Sequence, residues 1–116
     1  MVNISSSSRY KINRSNLKKS VDSFMIEKGL SDNIIVNLIF VGKNKMKKLA
    51  KTYKKEKEAL PVLAFTYNEI NKDGENILGE IFVCYPQAVL LAAERNRKVE
   101  ETLMYLVKHG VENLLK

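Results

Sequence analysis

Hydrophobic residues recur at two different spacings along the chain, and each spacing predicts a different kind of element. After Ser15 the apolar positions recur every three or four residues, which is the spacing of one face of a helix. These positions are Leu17, Val21, Phe24 and Met25. Ser15 can act as the N-cap, and Gly29 lies where the residue after the C-cap belongs. The pattern therefore predicts a helix of about four turns.

Ile34–Val41 is apolar at nearly every position and rich in β-branched residues. Such a run predicts a strand that is covered on both faces and therefore lies in the centre of a sheet. Residues 61–67 and 77–84 predict two further strands. The polar residues 68–76 between them contain an Asp-Gly pair, which is a turn signal. We therefore expect these two strands to be neighbours in the sheet.

Three more segments have the spacing of helices. Asn44 can cap a helix after the central strand. Its inner face is formed by Met46, Leu49, Ala50 and Tyr53. Pro86 suits the first turn of a helix that continues to about Arg95. A last helical segment covers residues 98–115.

Residues 2–12 carry a weaker pattern. Ile4 and residues 10–12 predict short pieces of strand on either side of a serine-rich loop. After this segment the order of elements is helix, strand, helix, strand, strand, helix, helix. With no repeat and no linker, this order predicts one domain over residues 1–116, of the α+β class, with a small mixed β-sheet packed with helices.

The composition, 45% hydrophobic and 28% charged, is typical of a soluble globular protein. The single cysteine, Cys84, excludes an internal disulfide and fits a reducing cytoplasm, and we expect it to be a core or strand-end residue. The first residues lack the charged and apolar regions of a secretion signal. No apolar run approaches the ~20 residues of a membrane span. We therefore expect a cytoplasmic protein with no membrane partner.

The formal net charge of +7 favours nucleic acid or an acidic surface as a partner. Much of this charge falls on the outer face of the helix that follows Asn44. The lysines of this helix that we assign to RNA binding are Lys47, Lys48, Lys51, Lys54 and Lys55. Like charges four residues apart destabilise a helix, and an RNA backbone would offset that cost as its counterions are released. The alternative is that these lysines form only a solvated helix surface.

The last helix carries the sole histidine, His109, directly before a glycine. A glycine inside a helix costs roughly 1 kcal/mol relative to alanine, so Gly110 predicts a close approach of the helix backbone to another element. His109 and Asn113 lie one turn apart on the same face, at the spacing that lets two histidines share a zinc ion. Asn113 offers only an amide oxygen, a weak zinc ligand, and Glu112 points about 100° away.

Residues 109–113 resemble the metal-binding helix of the YbeY family of ribosomal-RNA maturation endoribonucleases. That signature reads His-Gly-x-x-His-x-x-Gly-x-Asp-His, and its three histidines hold a zinc ion. His109 and Gly110 match its first two positions, and Asn113 stands where the second histidine would be. The later glycine of the signature falls on Lys116, the last residue of the sequence. The chain is therefore identified as a degenerate or truncated member of the family, in which two of the three metal-binding histidines are absent.

Three further stretches extend the same resemblance over most of residues 34–115. Residues 62–65, Val-Leu-Ala-Phe, follow a basic helix and resemble the family's Pro-Thr-Asp-Val-Leu-Ser-Phe strand. Residues 78–84 resemble its Leu-Gly-Asp-Ile strand, and residues 102–110 resemble the lead-in to its metal motif. The resemblance implies that the α+β fold has the zincin-like frame of the YbeY family.

The departures from the family fall on polar positions. The family's Pro-Thr-Asp is replaced by Ala59, Leu60 and Pro61, and its next serine by Ala64. The family's arginine that is thought to meet RNA falls on Lys54, which keeps the charge but loses the bidentate fork of a guanidinium group. The hydrophobic frame is thus retained while the polar working groups are reduced in number.

Two interpretations of His109 remain open. It is either a partly buried, hydrogen-bonded residue or a metal ligand completed by another chain or by RNA. A catalytic zinc site takes three protein ligands and a water molecule that the metal acidifies, whereas this sequence supplies one good ligand. We therefore predict no resident cofactor, with zinc bound only if the chain is an active enzyme.

These observations lead to three hypotheses about function. The first is a YbeY-like protein that acts in ribosomal-RNA maturation, or binds RNA or the small ribosomal subunit, through its basic face. In this hypothesis catalysis is lost or impaired. The second is an active zinc-dependent endoribonuclease that cleaves single-stranded RNA. The third is a protein-interaction module in which the Leu- and Val-rich last helix presents an apolar strip to a partner.

Overall fold

The strand predicted over Ile34–Val41 lies inside a four-stranded sheet. A computed structural model describes residues 1–53 and 60–116 of the chain. Its elements are β1 (Val2–Ser5), α1 (Arg14–Glu27), β2 (Ile34–Val41), α2 (Lys43–Tyr53), β3 (Val62–Ile70), β4 (Asn76–Cys84), α3 (Tyr85–Glu94) and α4 (Val99–Leu114). The predicted α+β class is confirmed.

The strands are arranged in the order β1-β2-β4-β3. β2 pairs in parallel with both β1 and β4, and β3 pairs antiparallel with β4. The sheet is therefore mixed, as predicted. β2 has a partner on each side, which confirms its central position. β3 and β4 are neighbours, as the polar turn between them indicates.

Alternating residues of the strands point to opposite faces of the sheet. Val36 and Leu38 of β2 lie in one buried cluster together with residues of α1 and α4. Val41 lies in the second, smaller cluster, which includes Met46 and Ala50 of α2. Helices α1 and α4 therefore cover one face of the sheet, and α2 covers part of the other.

The N-terminus of α1 differs from the prediction. Asn13, and not Ser15, is the N-cap, because its side-chain oxygen accepts a hydrogen bond of 3.1 Å from the backbone N–H of Asn16. Ser15 lies inside the first turn. Asparagine and serine are almost equally good caps, so the path of the chain before the helix decides between them. The predicted C-terminal glycine is confirmed, since Gly29 has φ of +85°.

Helix α2 also begins earlier than predicted. Its first residue is Lys43, so Asn44 lies inside the helix and does not cap it. The backbone N–H of Met46 donates to the carbonyl of Gly42 at 3.1 Å, which closes the first turn. Gly42 is the single residue that connects β2 to α2.

The β3–β4 hairpin is longer than its composition suggests. β3 continues to Ile70, and β4 begins at Asn76, so the connection is only residues 71–75. A register shift between Thr66 and Glu69 is accompanied by positive φ at Asn68, a residue type that tolerates this conformation. Pairing of backbone groups with β4 therefore maintains the strand where the side chains are polar and exposed.

The N-terminal segment contributes one of its two predicted strands. Ile4 lies in β1, which forms one edge of the sheet. The segment of residues 10–12 is not a strand. The ring of Tyr10 instead stacks on Tyr85, with their centroids 4.8 Å apart.

Helix α4 approaches the sheet closely through a glycine on each element. A Cβ atom added at Gly110 would lie 2.8 Å from the Cγ2 atom of Ile81 in β4. A Cβ atom added at Gly79 would lie 2.1 Å from the backbone oxygen of Phe65 and 2.9 Å from a methyl carbon of Leu114. The close approach predicted at Gly110 is confirmed.

The apolar residues of α4 face the sheet and not the solvent. Buried residues of the helix include Leu103, Leu106, Val107, Val111 and Leu114. The hypothesis that this helix presents an apolar strip to a partner is therefore wrong, because the sheet already covers that strip. Within the residues that the structure describes, none of the helices has the length and apolar character needed to cross a membrane.

We predict that Asn13→Ala lowers the free energy of unfolding by about 1 kcal/mol, because the N–H of Asn16 loses its acceptor. Urea denaturation followed by far-UV circular dichroism would measure the change. Ser15→Ala is the matched control, and we expect it to change stability by less than about 0.5 kcal/mol. Equal losses in the two variants would contradict the assignment of the cap.

Candidate functional site

The lysine-rich face of α2 is the most strongly charged surface that the sequence predicts. Lys47, Lys48 and Lys51 are all exposed on this helix. Their positions fall within an arc of about 100° around the helix axis, so they form one surface. We call these three residues the α2 lysine face. Lys54 and Lys55, which we also assigned to RNA binding, lie outside the described residues.

Burial of the opposite side of α2 fixes the direction of this face. Met46 and Ala50 are fully buried among residues of β2, β3 and β4. Leu49 is partly buried against the same cluster. These three members of the predicted inner face are confirmed. Because the helix packs through them, its lysines project away from the sheet.

Tyr53, the fourth predicted inner residue, is 63% exposed. It lies at the last residue of α2 and contacts the sheet only with part of its ring. Its centroid lies 5.0 Å from that of Phe65, in an edge-to-face arrangement. Tyr53 therefore lies on the predicted inner face, against the sheet, but its ring is not buried there.

The charges of α2 are not balanced nearby in the described part of the chain. The first turn has no acidic residue, although it contains Lys43 and Lys45 beside the positive end of the helix dipole. Among the described residues three ion pairs form, and none includes a lysine of α2. This arrangement gives a positive potential along the helix, which attracts phosphate groups.

His109 and Asn113 lie on the solvent side of α4, one turn apart, and both are exposed. The ring of His109 is nearly parallel to that of Tyr105, at a centroid distance of 6.3 Å and an angle of 11°. The guanidinium group of Arg95 lies 5.7 Å from the Tyr105 centroid. The interpretation of His109 as a partly buried residue is therefore wrong. Gly110 faces the sheet, which turns the preceding residue outward.

The described residues around His109 do not by themselves fit a resident zinc ion. No group of three or more His, Cys, Asp or Glu side chains that could hold a metal occurs within residues 1–53 and 60–116. Glu112 is directed elsewhere, since its carboxylate lies 3.9 Å from the ammonium group of Lys28, the residue that follows α1. His109 is a good zinc ligand, and Asn113 is a poor one.

Cys84 is fully buried at the last position of β4, directly before α3. The prediction of a core or strand-end residue is confirmed. Burial raises the pKa of its thiol, because the thiolate would lose its hydration. A thiol of this kind is a poor nucleophile, so Cys84 has a structural role.

A polar pair that the sequence pattern does not predict lies on the face of the sheet that α2 partly covers. The hydroxyl of Tyr67 on β3 donates a hydrogen bond to the carboxylate of Glu80 on β4. This bond, with desolvation and the Glu80 charge adding to it, raises the pKa of Tyr67 to about 12. The only signal in the sequence is that Glu80 stands where the family's Leu-Gly-Asp has its acid. The register of the hairpin, which includes a bulge, brings the two residues together.

We predict that Tyr67 ionises near pH 12 rather than near pH 10 in the folded protein. Because its folded pKa is raised, the hydrogen bond is fully present below pH 10 and is lost as the pH rises through about 12. The ultraviolet pH titration of Tyr67→Phe, subtracted from that of the wild type, would give the ionisation curve of Tyr67 alone. Circular dichroism would verify that both proteins stay folded. Glu80→Gln should return the pKa towards 10, and an unchanged value would contradict the pairing.

The chain matches known proteins over almost its whole length. It matches the family model described as Endoribonuclease YbeY over residues 3–115. The Endoribonuclease YbeY of Finegoldia magna is 29% identical over 101 residues, which are 87% of this chain and 66% of that protein. That of Malacoplasma penetrans is 33% identical over 100 residues, which are 85% of this chain and 67% of that protein. The chain thus spans about two thirds of the length of these curated relatives.

The fold is also similar to a solved structure. The solution structure of TM1509 from Thermotoga maritima aligns with a TM-score of 0.67 and 27% sequence identity. The alignment covers 100% of this chain and 73% of that one. The similarity in fold agrees with the sequence match, which includes β4 and the helix that carries His109. The chain belongs to the YbeY family.

Proposed function

We propose that this chain binds RNA through the α2 lysine face and acts in ribosomal-RNA maturation, as a YbeY-like domain over residues 1–116. The observation that carries the proposal is the exposure of Lys47, Lys48 and Lys51 on one side of a helix whose opposite side is buried. We infer a cytoplasmic location, with small-subunit ribosomal RNA as the partner.

Electrostatics supports a polyanionic partner. The chain carries a net charge of +7, and α2 concentrates positive charge without acidic residues in its first turn. Each phosphate that a lysine neutralises releases counterions from the nucleic acid, which favours binding at low salt. A helix of this kind is less stable alone than a helix with mixed charges, and bound phosphates would remove that cost.

We infer the type of RNA from the family to which the chain belongs. The relatives that match this chain carry the name Endoribonuclease YbeY, and the family resemblance implies ribosomal RNA. We infer that cleavage is impaired in this chain, since Asn113 offers an amide oxygen where the family has a histidine. An amide oxygen binds zinc weakly compared with an imidazole nitrogen. His109 would remain as a single strong ligand.

We predict that replacing Lys47, Lys48 and Lys51 by glutamate weakens RNA binding at least tenfold at low salt. The slope of log affinity against log salt concentration should become shallower, by roughly 0.7 for each lost phosphate contact on a single strand. Fluorescence anisotropy with a labelled single-stranded RNA at several salt concentrations would measure both quantities.

The matched control replaces Arg97, Lys98 and Lys116 by glutamate, which makes the same change in net charge at exposed positions outside α2. We expect this variant to retain most of the affinity and slope. Equal effects of the two triple variants would mean that only the net charge matters. Binding that is insensitive to salt and to both variants would contradict the proposal.

We predict that the wild type binds zinc weakly and that Asn113→His creates a tighter site. The new imidazole would lie one turn from His109 on an exposed helix face, at the spacing for a shared metal ion. Isothermal titration calorimetry would measure the zinc affinity of three proteins. These are the wild type, the single variant Asn113→His, and the double variant with Asn113→His and His109→Ala. The last variant should return to the weak binding of the wild type.

Cleavage of a labelled single-stranded RNA decides between impaired and active forms. We expect the wild type to show no metal-dependent cleavage. Metal-dependent cleavage is cleavage that a chelator abolishes and that His109→Ala also abolishes. Cleavage that both treatments abolish would establish a working metal site completed by groups beyond the described residues, and the active endoribonuclease would then be the correct assignment.

A further inference from the structure

The part of the sheet that extends beyond α2 carries a cluster of aromatic rings. Tyr53 contacts Phe65 edge to face, with centroids 5.0 Å apart. Phe65 in turn contacts Phe82, with centroids 5.8 Å apart and an angle of 71° between the rings. Tyr67 lies two residues after Phe65 on β3. Its hydroxyl donates a hydrogen bond to Glu80, which is the cross-strand partner of Phe65.

Much of this aromatic surface is open to solvent. Tyr53 is 63% exposed and Tyr67 is 45% exposed, whereas Phe65 and Phe82 are half-buried beneath them. Burying a large aromatic ring is strongly favourable, so the two exposed rings offer area that a planar ligand would cover. We call Tyr53, Phe65 and Tyr67 the aromatic platform.

The rings of the platform are held in place before any ligand binds. Tyr53 belongs to a helix that is anchored by Met46 and Ala50, and its ring rests against Phe65. The hydrogen bond to Glu80 holds the phenol of Tyr67. Because these contacts restrict the rings, contact with a planar ligand costs less entropy than it would with unrestrained rings.

The platform lies at the C-terminal end of the helix that carries the α2 lysine face, on the side of α2 that faces the sheet. Tyr53 follows Lys51 by two residues and Lys47 by six, which corresponds to about 9 Å along the helix axis. Around the axis Tyr53 lies about 120° from Lys47 and about 160° from Lys51, so a strand with bases on the platform passes across α2 before its phosphates meet the lysines. Proteins that bind unpaired nucleic-acid strands combine cationic side chains for the backbone with exposed aromatic rings for the bases.

We propose that Tyr53 and Tyr67, supported by Phe65, stack against unpaired bases of an RNA strand whose phosphates contact the α2 lysine face. This inference rests on the proposed function, and it adds the residues that contact the bases. The carboxylate of Glu80 lies at the platform and repels phosphate groups. It therefore orients the strand, with its backbone towards α2 and its bases towards β3.

The test compares probes that share a backbone and differ in their bases. The probes are a labelled 12-nucleotide single-stranded adenine RNA, an abasic strand of the same length and an RNA duplex. Stacking on aromatic side chains typically strengthens binding by roughly fivefold to 150-fold per base. We expect the wild type to bind the adenine strand at least fivefold more tightly than the abasic strand, and more tightly than the duplex at equal phosphate concentration.

The variant that carries Tyr53→Ala and Tyr67→Ala should lose this preference for bases, while the salt dependence of binding stays unchanged. Its matched control carries Tyr53→Phe and Tyr67→Phe, which keep both rings and should retain the preference. A second pair, Tyr53→Leu with Tyr67→Leu, keeps apolar contact without an aromatic ring and serves if the alanine variant does not fold. It should also lose the preference.

Tyrosine fluorescence gives an independent signal, because the chain contains five tyrosines and no tryptophan. Stacking of adenine should quench the emission of the wild type. The abasic strand should leave that emission unchanged. A variant with Tyr53→Phe and Tyr67→Phe should bind the adenine strand with much less quenching.

The outcomes separate this inference from the proposed function. If glutamate at Lys47, Lys48 and Lys51 weakens binding but the alanine variant still prefers bases, the α2 lysine face binds RNA and the aromatic platform does not contact the bases. Equal affinity for the adenine and abasic strands in the wild type would overturn the inference in the same way. If neither set of variants affects binding, both the proposed function and the inference are wrong.

Discussion

The close contact between α4 and β4 is the constraint on which the rest of the structure depends. Gly110 leaves room for Ile81, and Gly79 leaves room for Leu114 and for the backbone of Phe65. A side chain at either glycine would push the helix away from the sheet and open the larger core cluster. The contact also fixes the rotation of α4 about its axis, because a change of one residue would turn every side chain by about 100°. His109 consequently faces the solvent.

The two faces of the sheet have different roles. Helices α1 and α4 cover one face with a continuous apolar core, which gives the fold its main source of stability. On the other face, α2 covers only the end that includes Val41 and Cys84. The remainder of that face carries Glu80 and the aromatic rings beside it. Apolar burial thus holds α2 at one end of the sheet, and the sheet surface that remains combines aromatic and carboxylate groups.

Local patterns predicted the elements well and their ends less well. β2 has the predicted bounds. A run of β-branched apolar residues between polar segments buries its side chains best as a strand inside the sheet. The cap of α1 was misplaced, since Asn13 and Ser15 have similar preferences and only the path of the chain selects one. The hairpin was underestimated because backbone pairing with β4 sustains β3 through the exposed residues up to Ile70. Tyr53 has the helical position of the inner face and contacts Phe65, but the spacing did not show that its ring stays largely exposed.

The sequence by itself determined the α+β class, the central strand, the close approach at Gly110, the lysine-rich helix and the resemblance to the YbeY family. Each of these depends on residues that are near one another in the chain. Only the tertiary structure decided that His109 is exposed and that Tyr67 bonds to Glu80, thirteen residues away. Only the tertiary structure placed Tyr53 against Phe65. Such contacts depend on strand register, helix rotation and the extent of the sheet, which are set by packing of the whole core and not by any local pattern.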